Sequence, residues 1–177
     1  ISSAVRFVNY VRNEIRTQFE MLPDIIKGAD LVVGSSLMFA LSSIAEALNI
    51  QYLYVAFTPQ LFPSSFHPFP VFKTQTLPGW CNRLTWQLAF LGDRFNSERL
   101  VNRYRKQFKL KPLSNLWLHV LGKNCIVACD FQVAEIPNDV IQSPLQTGYM
   151  HLHIPKPDYP ELEEFLMSDS PPIYAGF

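Results

Sequence analysis

An alternation of short elements constrains this chain most. Between Ala4 and Leu22, apolar residues fall at Ala4, Val8, Val11, Ile15, Phe19 and Leu22, the 3–4 spacing of a helix with one buried face. Pro23 and Gly28 are expected to end it. Asp30-Leu31-Val32-Val33-Gly34 is a short β-branched run, the signature of a strand covered on both faces. Ser35 or Ser36 is placed to cap a second helix over roughly Leu37 to Leu48, and Tyr52 to Ala56 forms a second buried strand. Helix, strand, helix, strand at this spacing is the grammar of a parallel sheet with right-handed crossovers. The expectation is an α/β, Rossmann-like parallel sheet with flanking helices, whose first strand precedes Ile1.

The rest of the chain fits one such sheet. Leu84, Leu88, Leu91 and Phe95 restart a helical period that Leu100, Val101, Tyr104 and Phe108 continue, with a break expected near Gly92 and the arginines on solvated faces. Leu113 to Leu121 reads as a short helix, Cys125 to Cys129 and Leu145 to Tyr149 as strands. Pro155, Pro157 and Pro160 make a stiff connector before an acidic helix at Glu161 to Met167. The opening at Ile1 and the proline-bounded run Pro171 to Phe177 read as the cut ends of an internal piece, truncated at both ends.

Composition removes several functions. Fifteen Lys and Arg balance fifteen Asp and Glu over 177 residues, so no field attracts a polyanion and nucleic-acid binding is not expected. With 48% hydrophobic and 17% charged residues the chain is neither disordered nor, lacking any run of about 20 apolar residues, membrane-spanning. Three cysteines make no disulfide framework and suit a reducing, cytoplasmic setting.

In an open parallel sheet, ligands collect beyond the carboxyl ends of the strands. Two such ends are legible. Gly34-Ser35-Ser36 offers small residues, hydroxyls and a positive helix end. Phe57-Thr58-Pro59 leads into a long loop holding Phe62, Phe66, His67, Phe69 and Phe72 among five prolines, the lining of a pocket for apolar compounds. The candidate ligand-binding residues are therefore Ser35, Ser36, Thr58, Pro59, Phe62, Phe66, His67 and Phe69, with Trp80 as a further wall; Trp86 is better placed in the core. Serines before a helix also serve as plain caps, and an aromatic loop also packs on its own domain or on a partner. Met38 stands where a G-x-S-x-G turn needs glycine, so a serine hydrolase is not expected. His151 and His153 share a strand face without further ligands, and no metal site is expected.

Ala29 to Ser36, Ile44 to Ile50, Phe57-Thr-Pro59 through Phe66-His-Pro68, Asn82 to Trp86 and Pro171 to Phe177 occur in an order that resembles the sterol and glycopeptide- or macrolide-antibiotic glycosyltransferases of the UDP-glucosyltransferase superfamily. The resemblance implies the N-terminal part of a two-domain GT-B fold. Residues 1–150 would be the latter part of the acceptor domain, 151–170 the interdomain linker and 171–177 the first strand of the donor domain, with Gly176 at the donor site. It implies inverting transfer of a hexose from a UDP- or dTDP-sugar to a hydroxyl of a lipophilic acceptor, with no cofactor. The catalytic Asp or His is expected upstream of Ile1, so no catalytic residue is assigned here, and the isolated piece is expected to be inactive. Ser35 stands where the plant branch carries a second Asp, which favours the branch in which one Asp acts alone. Peripheral membrane contact would suit a lipophilic acceptor, although no basic amphipathic helix announces it. The competing expectation is a non-catalytic α/β module that holds an apolar ligand or protein partner through loop 57–72.

Overall fold

The computed structural model describes residues 3–152, 159–167 and 173. Helix α1 (Ser3–Ile25) buries Val11, Ile15 and Phe19 at 4-4 spacing. It runs past Pro23 instead of stopping there, because a proline this close to the end removes only one hydrogen bond. The turn follows at Ile26 to Gly28, whose φ is +88°. Strand β1 (Leu31–Ser35), helix α2 (Leu41–Leu48) and strand β2 (Gln51–Ala56) then complete a βαβ unit. A single helical turn at Pro59–Leu61 precedes a non-regular loop.

Helix α3 (Gly79–Asp93) continues through a π-helical segment (Arg94–Glu98) into helix α4 (Arg99–Gln107). The irregularity expected near Gly92 is thus a widened turn within one continuous helical stretch, displaced two residues. Helix α5 (Leu116–Leu121), strand β3 (Cys125–Val127), strand β4 (Leu145–Gln146) and helix α6 (Pro160–Leu166) follow. The four strands pair in the order β1-β2-β3-β4, all parallel. The architecture is α/β with a parallel sheet and flanking helices.

Register fixes which side chains face the helices. Val32 pairs with Tyr52, Gly34 with Tyr54, Tyr54 with Cys125 and Ala56 with Val127. Of this row, Tyr54, Ala56, Cys125 and Val127 share the core with Ile15, Phe19, Ile44, Phe62, Leu116 and Leu121, and Val32 packs with Leu41 and Ala45. The alternate row does not. Leu31 and Val33 are 48% and 56% exposed, so among the described residues β1 is covered on one face, not on both. The cause is topological: successive crossovers advance in one direction across the sheet and deliver their helices to the same side.

Two expectations about α2 are corrected. It begins at Leu41, not Leu37, and its cap position is Ala40, without a side-chain cap. Neither Ser35 nor Ser36 caps it. Gln18 of α1 does that work from a distance: its Oε1 accepts from Ala40 N at 3.0 Å while its Nε2 donates to Leu37 O at 2.9 Å. Of the segment proposed as linker, residues 151–152 and 159–167 are described and include α6, while the segment proposed as donor-domain strand (apart from Ile173), the donor contact at Gly176 and His153 lie outside the described residues.

Candidate functional site

A cavity of about 270 Å³ opens where β1 and β2 end. Ser35, Ser36 and Leu37 form one side, Phe57, Thr58 and Leu61 another, and Trp117 with Val120 and Leu121 of α5 the far wall. Tyr54, Val55 and Phe39 complete it. Its surface is mostly apolar with hydroxyls at one side, the arrangement that orients a hydrophobic ligand by one or two hydrogen bonds.

Local chemistry explains the shape. Ser36 has φ +51°, the left-handed conformation a β-carbon disfavours. Its carbonyl accepts from the Tyr54 hydroxyl at 3.2 Å, which helps hold the kink and turns the chain away from the strand axis. Burial pushes the Tyr54 phenol above its usual pKa, so it remains a neutral donor. Trp117 is fixed by Nε1 donating to Leu61 O at 2.8 Å, which ties α5 to the turn after β2. Thr58 caps that turn, accepting from Gln60 N at 3.3 Å. Ser35 Oγ is buried with no protein partner. A buried hydroxyl without a protein partner departs from the usual pairing of buried polar atoms.

The other candidate residues scatter. Pro59 is buried in the turn, and Phe62 is fully buried in the core. Phe69 stands edge-on to Trp86 at 5.1 Å and to Trp117 at 5.4 Å, and His67 edge-on to Trp86 at 5.9 Å. Trp86 donates from Nε1 to His67 O at 3.2 Å. The loop thus stacks its rings against α3 and α5 and closes around itself, while Phe66 and Trp80 are 63% and 71% exposed. Ser35, Ser36 and Thr58 meet at the cavity; Pro59, Phe62, Phe66, His67, Phe69 and Trp80 are not among its lining residues. Asp139 binds the loop from below: it accepts from Ser64 Oγ, Ser65 N and Ser65 Oγ at 2.6, 2.7 and 2.6 Å.

Sequence reasoning missed Leu37, Phe39, Leu61, Trp117, Val120 and Leu121 as lining. Only Leu61, in the loop itself, carried a local signal; Trp117 reaches the cavity from an element 56 residues further on.

A second polar cluster resembles catalytic machinery. Ser43 Oγ lies 3.1 Å from His119 Nε2, and Arg105 Nη1 reaches Ser43 Oγ at 3.0 Å and Glu46 Oε2 at 2.7 Å. Ser43 is fully buried and the guanidinium occupies the space an attacking hydroxyl would need. Burial, then the Arg105 charge, lowers the His119 pKa to about 4 despite Glu46. These residues clamp α2 to α4 and α5. Among the described residues no three His, Cys, Asp or Glu side chains gather to hold a metal ion.

No protein-family model matches the chain. Among curated proteins, it is 32% identical over 169 residues to glycosyltransferase GtfC of Amycolatopsis orientalis, across 92% of this chain and 40% of that protein. It is 28% identical to glycosyltransferase GtfE of the same organism, across 99% of this chain and 44% of that protein. To the vancomycin aglycone glucosyltransferase of that organism it is 30% identical, across 95% of this chain and 42% of that protein. The chain spans about two-fifths of the length of these relatives.

Proposed function

We propose that this chain is the acceptor-binding part of an inverting glycosyltransferase that moves a sugar from a UDP- or dTDP-activated donor to a hydroxyl of a lipophilic acceptor. The observation that carries this is the similarity to part of several glycosyltransferases across 92–99% of this chain, one of them named for vancomycin aglycone. The cavity supports it. Trp117, Phe57, Leu61 and Phe39 offer apolar and aromatic surface, and Ser36 and Thr58 stand at its edge as polar residues that could orient an acceptor hydroxyl.

In the reaction proposed, the acceptor oxygen attacks the anomeric carbon as the nucleoside diphosphate departs from the opposite face. The attacking hydroxyl needs a base within about 3 Å. Residues 1–150 would serve as the latter part of the acceptor domain, 151–170 as linker, and 171–177, with Gly176, as the start of the donor domain. The task of residues 31–61 is positioning: they hold the acceptor so that encounter becomes intramolecular.

The test is to incubate the full-length protein with UDP-glucose or a dTDP-hexose and a panel holding a glycopeptide aglycone, a macrolactone and a sterol, and to follow products by mass. Addition of one sugar to a panel member is expected. No transfer to any member, together with no donor binding by calorimetry, would refute the proposal.

A further inference from the structure

The long helix beginning at α3 carries its apolar stripe outward. Trp80, Leu84, Leu88, Leu91 and Phe95 follow one another at 4-4-3-4 intervals, one face of a helix about 20 Å long. They are 71%, 45%, 53%, 52% and 67% exposed. The opposite side makes the contacts: Asn82 Nδ2 donates to Ser65 O at 2.8 Å, Thr85 Oγ1 accepts from Phe69 N at 2.9 Å, and Trp86 is buried. Polar bonds and one tryptophan hold the helix, which leaves its leucines uncovered.

Such a row is more contiguous than the scattered apolar residues of an ordinary surface. It is also a convex ridge, and none of its five residues lines the cavity at the strand ends. Small ligands need concavity, whereas a ridge of leucine and phenylalanine with tryptophan at its end matches a bilayer interface. Charge points the same way. Arg94, Arg99, Arg103 and Lys106 are exposed along residues 79–107; Arg83 is exposed but lies 3.8 Å from Asp139, Glu98 is buried, Asp93 is half-buried, and the sixth cation, Arg105, is buried against Glu46. The exposed ionic groups of this helical stretch are all cationic, as anionic headgroups require.

We propose that this face docks the protein on an anionic lipid surface, with the Trp80–Phe95 stripe entering the headgroup–acyl boundary and Arg94 meeting lipid phosphates. The proposal does not depend on which reaction the protein catalyses.

Co-sedimentation of the full-length protein with phosphatidylcholine vesicles, with and without roughly a third phosphatidylglycerol, tests it. Binding to the anionic vesicles is expected to be at least about tenfold tighter and to weaken with salt. Emission should shift to the blue on binding, and that shift should shrink in Trp80→Phe. Leu84→Gln, Leu88→Gln and Leu91→Gln combined should abolish sedimentation while the melting temperature holds. Arg94→Gln should weaken anionic binding about fivefold. Failure to sediment with either vesicle would overturn the proposal. So would a melting temperature that falls in the triple variant, which would mean that another segment of the protein covers the stripe. Conversion of a dimer to a monomer by that variant would also overturn it, by assigning the face to a second copy.

Discussion

Single residues decide what the cavity and its supports can do. Ser35 and Thr58 were legible because a hydroxyl residue directly after a buried strand lands at the sheet's carboxyl edge, whatever the rest of the fold does. Phe62 was not placed correctly, since a phenylalanine in a loop carries no periodicity to tell wall from core. His119 illustrates a role visible only in three dimensions. Its pKa falls from 6.5 to about 4 because burial and then the Arg105 charge oppose protonation. An unfolded chain takes up this proton near pH 6.5, and the folded one only near 4. Stability is therefore full above about 6.5 and declines as pH falls toward 4, by up to about 3 kcal/mol from this group. Urea midpoints of the full-length protein at pH 7.5 and 5 should separate, and His119→Asn should shrink the separation. An unchanged separation would contradict the clamp described for Ser43, Arg105 and Glu46.

Whole elements were easier to detect than to orient. The 3–4 periodicity of α1 and the β-branched runs of β1 and β2 translate into elements because burial selects one face or one row of side chains. For α3 the same periodicity was present, yet Leu84, Leu88 and Leu91 face outward. A period reports that a stripe exists; the partner that covers it is a tertiary fact. The cap of α2 was hidden for a related reason, since Gln18 supplies it from another helix. The loop between β2 and α3 depends on one carboxylate in a distant segment. Burial raises the Asp139 pKa, but the bonds from Ser64 and Ser65, with Arg83 nearby, outweigh it and hold the pKa down at about 2. Asp139→Ala should destabilise the loop by about 2 kcal/mol, three charge-assisted bonds being lost from a partly exposed site. Amide exchange at Ser65 should accelerate, and exchange in β1 should not. Equal acceleration in both would mean that the carboxylate supports the entire domain.

On the scale of the molecule, four parallel strands bring Gly34-Ser35-Ser36 and Phe57-Thr58 side by side, with α5 laid across their ends. That adjacency followed from the alternation of helix and strand. The contribution of α5 did not, because it depends on how the chain returns after the long helix. The row holding Leu31 and Val33 stays uncovered among the described residues, and the chain spans about two-fifths of its relatives. Activity therefore belongs to experiments on the full-length protein. No described helix is long and apolar enough to cross a membrane; the outward stripe of α3 suits lying on one. The central claim is that the acceptor sits between the ends of β1 and β2 and Trp117. Leu37 lines this cavity from a turn, so Leu37→Trp fills it without breaking a strand or helix. The most direct measurement is the pair of Michaelis constants of that variant in the full-length enzyme. KM for the acceptor should rise by about tenfold or more while KM for the nucleotide-sugar is unchanged; an unchanged acceptor KM in a folded variant would contradict the account.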